Sequence, residues 1–391
     1  MKLEEARRRL PIVDQLPDAR GRFYPAEKAR RDLVPRLVVW ELTLACDQKC
    51  IHCGPRAGPR RDDELTTDEA LALIQEMADM GVGEVVLIGG EAYLRNDFIL
   101  IIRAIRAAGM HCTMTTGGYN LNPKRVAAMV EAGISSVTLS IDGLAETHDY
   151  LRGMPGSWQR AIDALHNFHK AGAAIACNTQ INARTEKELL PLLEHLAKAG
   201  IHSWQLQITV AHGNAADHHD IVLQPHMMLG VFDTIETVLD RCDELGVRIW
   251  PGNSLGYFGP LEGRMRKHMG RFWRGCTAGI SSLGIESNGG IKNCPSLGGP
   301  NNIGGGWREH GLRKVWEESY QLNYIRHRTV DDLWGYCREC YYAKTCMAGC
   351  TAASEALLGR PGNNPFCHHR ALEMDKKGLR ERIEMVQAPP G

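Results

Sequence analysis

The 391-residue chain has no surplus of charge: Lys plus Arg number 46 and Asp plus Glu also number 46. No global field therefore draws it to nucleic acid or to an anionic membrane surface, and neither is expected as a partner. Long hydrophobic runs are missing as well. No stretch approaches the ~20 apolar residues of a membrane span, and the N-terminus lacks the apolar core of a secretory signal. There is no internal repeat and no low-complexity tract. Apolar content is 43%, ordinary for a globular protein, so a sizeable core can form. What stands out against this plain background is thirteen cysteines. Without a secretion signal they argue against a disulfide framework and for metal or redox use in a reducing, cytoplasmic compartment.

One further absence is local. Cys46-Asp-Gln-Lys-Cys50-Ile-His-Cys53 follows the apolar run Leu37-Val-Val-Trp-Glu-Leu, and no fourth cysteine lies nearby. Three thiols at spacings of three and two residues can point into one small volume, which suits soft thiolate ligands on a metal or an iron–sulfur cluster. A cubane has four irons, so three thiolates leave one iron open. A zinc knuckle or three structural thiols are the alternatives. His52 lies inside the Cys-x2-Cys step and does not easily turn inward with both neighbours.

From Leu37 short apolar runs alternate with helical patterns. Strands are expected at 37–42, 84–88, 111–115, 136–141, 174–181 and 203–209, with helices between them at 97–108, 123–132, 157–171 and 185–199. The earliest helix starts at Thr66-Thr67-Asp68-Glu69, a capping signature, and ends at Gly81 and Gly83. Such alternation implies six parallel strands with helices outside, and sites at the carboxyl ends of the strands. The first 36 residues hold four prolines, which prevent one long helix. Residues 211–275 form a connection with one clear helix at about 225–245, whose apolar face includes Cys242. Cys112 and Cys177 fall in strands and read as small buried hydrophobes. From Cys276 to about residue 370, glycine, cysteine and aromatic residues rise and long helical patterns stop. Residues 370–386 read as a charged helix, and 371–391 as a closing helix and tail.

Taken together, the Cys46/Cys50/Cys53 motif after a first strand and Gly89-Gly90-Glu91 after a second resemble the radical S-adenosylmethionine (SAM) enzymes. The resemblance runs from roughly Leu37 to Arg370. It implies an α/β fold, a partial (β/α)6 barrel over 37–210. It also implies a 4Fe–4S cluster on Cys46, Cys50 and Cys53, with SAM chelating the open iron. Gly89, Gly90, Glu91, Thr115, Ser140 and Arg152 match the family's SAM contacts, Glu91 toward the amino group and Ser140 and Arg152 toward the carboxylate. Asp142 is left between a local hydrogen bond and a ligand contact. In Thr115-Thr116-Gly117 a threonine stands where many relatives carry asparagine.

The downstream series Cys276, Cys294, Cys337, Cys340, Cys346, Cys350 and Cys367 resembles the SPASM domain, placed over 276–370, which holds two auxiliary 4Fe–4S clusters. The resemblance assigns Cys337, Cys340, Cys346 and Cys367 to an outer cluster, and Cys276, Cys294 and Cys350 to an inner one. Ser282 occupies the position where relatives with a full inner set carry another cysteine. The cofactors implied are SAM and three 4Fe–4S clusters. The implied reaction is reductive cleavage of SAM to a 5′-deoxyadenosyl radical that abstracts a substrate hydrogen. Proteins with this domain pair often cross-link, epimerise, decarboxylate or oxidise ribosomally made peptides, which is the favoured function here. A flavodoxin- or ferredoxin-type donor is implied. Because 36 residues cannot hold a winged-helix-like recognition domain, substrate capture is expected to need either a separate recognition protein or a direct barrel contact. A small-molecule enzyme, such as a tetrapyrrole side-chain decarboxylase or an alcohol dehydrogenase, is the alternative. A non-catalytic iron–sulfur electron-transfer or sensing protein is the second. Sulfatase maturation fits less well, since the family's catalytic aspartate would fall beyond the C-terminus.

Overall fold

The computed structural model describes residues 33–270, 272–273, 275–299 and 302–384. The expectation for the first 36 residues falls almost wholly outside that range. Seven strands alternate with helices along the first two thirds of the chain. They run β1 (Leu37–Glu41), α1 (Thr67–Asp79), β2 (Glu84–Ile88), α2 (Phe98–Ala107), β3 (His111–Thr116), α3 (Pro123–Glu131), β4 (Ser136–Ser140), α4 (Ala145–Arg152), α5 (Ser157–Lys170), β5 (Ile175–Ile181), α6 (Leu189–Lys198), β6 (Ser203–Ile208), α7 (Met228–Leu245) and β7 (Arg248–Pro251). Three more strands follow: β8 (Ser282–Ile285), β9 (Gly290–Lys292) and β10 (Ile303–Gly306). All ten join one sheet in the order β10-β9-β8-β1-β2-β3-β4-β5-β6-β7. Every pairing from β8 to β7 is parallel, and only β8–β9 and β9–β10 are antiparallel.

Local chemistry accounts for these elements. Thr66 and Glu69 form a reciprocal capping box at the start of α1. Asn122 caps α3, with Pro123 at its first turn. On α6 the leucines 189, 192, 193 and 196 form the buried stripe facing the sheet. Burying each such side chain is worth roughly 1.5–3 kcal/mol. In β5, Ile175, Cys177, Thr179 and Ile181 face the helices, which by the two-residue period turns Ala176, Asn178 and Gln180 to the other face. Cys112, Cys177 and Cys242 all lie in the aliphatic core, as expected.

The parallel α/β core is borne out, and the sheet is larger than the six expected strands. β7 adds an edge beside β6, and β8 pairs in parallel with β1, so the segment after Cys276 is continuous with the sheet. The β8–β9 hairpin turns at Asn288-Gly289, where Gly289 has φ +90°. The expected helix over 370–386 is a correction: it spans His368–Asp375 only. Gly378, at φ +68°, lets the amide of Leu379 bond back to Met374 O, which closes the helix with a left-handed cap. The chain then doubles back, and Glu381 pairs with Arg370 at 2.6 Å. No described helix is long and apolar enough to cross a membrane.

Candidate cluster and cofactor site

The Cys46–Cys53 loop leaves the carboxyl end of β1 and is held by its neighbours' backbone. Gly90 N donates to Thr43 O and Glu91 N to Ala45 O, both at 2.7 Å. A β-carbon on Gly89 would lie 2.2 Å from Thr43 O, and one on Gly90 would lie 2.1 Å from Ala45 O. The glycines thus let the end of β2 press against the cysteine loop itself, where the sequence pointed to close approach of a ligand. From the other side, Lys49 N and Ile51 N donate to Arg152 O and Leu151 O at the end of α4.

The three thiols are partly enclosed. Cys46 Sγ accepts from Gln48 N at 3.4 Å, Cys53 Sγ from Ala57 N at 3.3 Å, and Arg152 Nη1 lies 3.8 Å from Cys50 Sγ. Burial pushes Cys46 up to about 12 and Cys50 to about 11, and raises Cys53. The thiols hold their protons until a cation displaces them, while the N–H donors are already placed for the thiolates.

Glu91 is buried, its Oε2 accepting from Thr116 Oγ1 at 2.5 Å and its Oε1 from Gly117 N at 2.7 Å. Burial raises its pKa to about 7, against the pull of those hydrogen bonds, and no cation among the described residues is paired with it. The threonine that replaces asparagine therefore makes its polar contact through Glu91. Thr115 lies on β3 opposite Thr138 of β4, and Ser140 ends β4. Arg152 donates to Ser140 O at 2.9 Å and to Asp142 Oδ2 at 2.5 Å, while its Nε has no partner among the described residues. Asp142 resolves as a local anchor: it also meets His52 Nε2 at 3.1 Å and accepts from Gln180 N at 2.8 Å. Burial alone would raise Asp142, but Arg152 and His52 hold it well below the usual carboxylate range. His52 is turned to Asp142, away from the thiols. His148, beneath, accepts from Asp142 N and is pushed down to about 3 by burial and by Arg152.

The C-terminal thiols fall into two groups. Cys337, Cys340, Cys346 and Cys367 line one cavity with Tyr257, Phe258, Tyr342 and Arg370. Cys276, Cys294 and Cys350 lie within electrostatic reach of one another, Cys294 being raised to about 12 by burial and then by Cys276. Tyr257 stands between the groups. Its hydroxyl accepts from Cys350 N at 3.0 Å, and Cys367 Sγ lies 3.7 Å from its carbonyl oxygen. Ser282 is buried, its hydroxyl 3.1 Å from Thr277 Oγ1, so its side chain is already partnered. Among the described residues no three His, Cys, Asp or Glu side chains are drawn in as one metal ion would draw them. A polynuclear cluster attaches its thiolates to separate irons and spans more volume.

Between the cysteine loop and Cys350 lies a cavity of about 1050 Å³, whose wall includes Leu44, His52, Gly89, Gln207, Lys292 and Cys350. Sequence reasoning passed over several residues at its edge and at the loop. Asp47 accepts from Tyr93 Oη and Asn120 Nδ2, both at 2.8 Å, and His148 acts as above. Asp47 sits inside the cysteine motif and Tyr93 two residues after Glu91, which is the signal that was available.

Residues 40–183 match the family model described as the Radical SAM superfamily. Over 349 residues the chain is 28% identical to an AdoMet-dependent heme synthase of Methanosarcina barkeri, covering 86% of this chain and 97% of that one. It is also 28% identical to the mycofactocin maturase MftC of Mycolicibacterium smegmatis, covering 85% and 82% of the two chains. Among solved structures, Streptococcus suis SuiB bound to S-adenosylmethionine superposes with a TM-score of 0.67. That match has 18% identity and covers 85% of this chain and 76% of SuiB, a likeness of fold.

Proposed function

Since the chain carries a radical SAM domain, we propose that it is a maturase that modifies a ribosomally made peptide by hydrogen abstraction. A radical SAM domain binds a 4Fe–4S cluster and SAM, and together these supply reductive cleavage of SAM to a 5′-deoxyadenosyl radical. The observation that carries the assignment is three partly enclosed thiols beside a buried carboxylate, Glu91, that pairs with no cation among the described residues. Cys46, Cys50 and Cys53 would hold three irons. Glu91 would accept the donors of the SAM amino group, and Arg152 keeps its unpartnered Nε for the SAM carboxylate. Gly89 and Gly90 fix the loop that aims Glu91, and Thr115 and Ser140 present hydroxyls on the same barrel face. The barrel wall orients the target hydrogen and excludes water.

The two C-terminal thiol groups would hold two auxiliary 4Fe–4S clusters. Cys337, Cys340, Cys346 and Cys367 supply a full set, and Cys276, Cys294 and Cys350 supply three ligands. An electron donor of flavodoxin or ferredoxin type would feed the domain, and a separate small protein would deliver the peptide. The relationship to a peptide maturase supports the substrate class. A tetrapyrrole side-chain decarboxylase is the second reading, favoured by the near-complete coverage of the heme synthase. The test is to incubate anaerobically reconstituted protein with SAM, reductant and either any short peptide found encoded beside its gene or coproporphyrin III. A mass change in a peptide is expected, and decarboxylation of the porphyrin alone would overturn it.

A further inference from the structure

The inner wall of the barrel carries a set of carboxamides that the SAM site leaves unused. β5 and β6 pair in register with Asn178 opposite Gln205 and Gln180 opposite Gln207. Their neighbours Cys177, Thr179, Trp204 and Leu206 are buried on the other face, and Trp204 Nε1 donates to Thr179 Oγ1 at 2.8 Å, which locks that register. Gln180, Gln205 and Gln207 therefore face the 1050 Å³ cavity. None of the three has a side-chain hydrogen bond among the described residues, and Asn178 Oδ1 is buried without a partner. Amide groups buried or half-buried in this way call for a partner that both donates and accepts.

The charged side chains of the same cavity are already paired. Lys292 lies 2.7 Å from Glu41 and 3.6 Å from Glu286, Arg61 lies 3.1 Å from Glu286, and Arg56 lies 2.5 Å from Asp217. Among the described lining residues no surplus cation is left for a substrate rich in carboxylates. A neutral partner with alternating N–H and C=O groups fits better. Gln205 and Gln207 stand two residues apart on one strand, about 6.6–6.8 Å, which is also the repeat at which an extended peptide presents its main chain on one side. Gln180 stands one strand spacing away, about 4.8 Å.

We infer that Gln180, Gln205 and Gln207 form a main-chain-reading ladder that holds an extended, uncharged stretch of peptide in the barrel. The inference rests on the peptide-maturase proposal and names how that substrate is gripped. The ladder itself reads only the backbone, so selection among peptide sequences falls to the rest of the cavity wall.

The test uses the full reconstituted chain with SAM present, panned anaerobically against a random linear dodecapeptide library displayed on phage. Enriched peptides are resynthesised with single backbone N-methyl or ester replacements. Each replacement that meets the ladder should weaken binding about twofold to tenfold, the worth of one hydrogen bond, in an every-second-residue pattern. In Gln205→Leu or Gln207→Leu the matching replacement should no longer matter, which is the coupling a double-mutant cycle isolates. The backbone-altered peptides act on the unaltered protein, so a misfolded variant does not remove the test. Enriched peptides indifferent to backbone replacement and to both variants would overturn the ladder and leave the peptide proposal standing. No enriched peptide, with or without binding of coproporphyrin III, would overturn both.

Discussion

Cys46, Cys50 and Cys53 sit on a loop stitched by backbone hydrogen bonds to β1, β2 and α4, within a sheet that buries long aliphatic stripes. Downstream, Cys276 and Cys294 flank β8 and β9, while Cys337, Cys340, Cys346, Cys350 and Cys367 sit among helices of four to eight residues. Around Cys337 the satellite core is only Leu333, Cys337, Ala343 and Ala348. The first thiol set is thus presented by a scaffold that stands without it. The stretch around Cys337 has too little apolar mass of its own to stand alone, and a bound cluster would staple it. Where the barrel uses leucine, this region uses sulfur and aromatic rings, such as Phe258 stacked on Tyr342 with centroids 4.5 Å apart.

That contrast can be broken most forcefully by removing iron. Chelation under anaerobic conditions should abolish hydrogen-exchange protection in 330–348 while β1 to β6 stay protected, because only the former would depend on a bound cluster for its core. Equal protection in both regions before and after chelation would remove the distinction. Leu196→Ala probes the opposite pole. It should cost about 2–5 kcal/mol in barrel stability, measured by denaturant unfolding, with or without iron.

Ser282→Cys sharpens the comparison inside the second region. A thiol in place of a hydroxyl that now meets Thr277 should give the inner set its fourth ligand. The variant should keep its iron and lose product formation if an open inner iron takes part. Full turnover, read beside the inner cluster's spectrum, would show that the fourth position is idle.

The smallest expected effect is on pH. Glu91 titrates near 7 in the absence of a cation because burial disfavours its charge. Its folded pKa is raised from 4.5, so the fold loses stability as pH climbs from about 4.5 to about 7, and SAM binding, which would draw on the ionised form, should tighten as pH rises through 7. SAM affinity of the loaded protein should fall as pH drops from about 8 to 6, by up to tenfold per unit for one coupled proton. Glu91→Gln should flatten that slope, as read by equilibrium dialysis.

Much of this was legible in the sequence because period and spacing are local. The stripe on α6, the capping box of α1 and the Cys46/Cys50/Cys53 motif each lie within a few turns of chain. The parallel pairing of β8 with β1 joins residues about 245 apart, and no periodicity announces it. The Asn288-Gly289 turn was a readable hairpin signal, passed over amid the glycines around it. In the site, Glu91 and Arg152 were named through resemblance. Thr116 and Asp142 needed coordinates, because their partners lie 25 and 10 residues away and are fixed by burial. The carboxamide ladder was hidden for a related reason: Gln205 and Gln207 look like solvent-facing strand residues until the strand is known to curve around a cavity.

The most direct measurement is 5′-deoxyadenosine formation with iron content, for the unaltered protein and for Cys46→Ala/Cys50→Ala/Cys53→Ala, both reconstituted anaerobically and reduced with dithionite in the presence of SAM. The unaltered chain should carry about twelve irons, four per cubane, and release 5′-deoxyadenosine. The variant should keep about eight irons and release none. Release of 5′-deoxyadenosine by the triple variant would contradict the assignment of Cys46, Cys50 and Cys53 as the site of SAM cleavage.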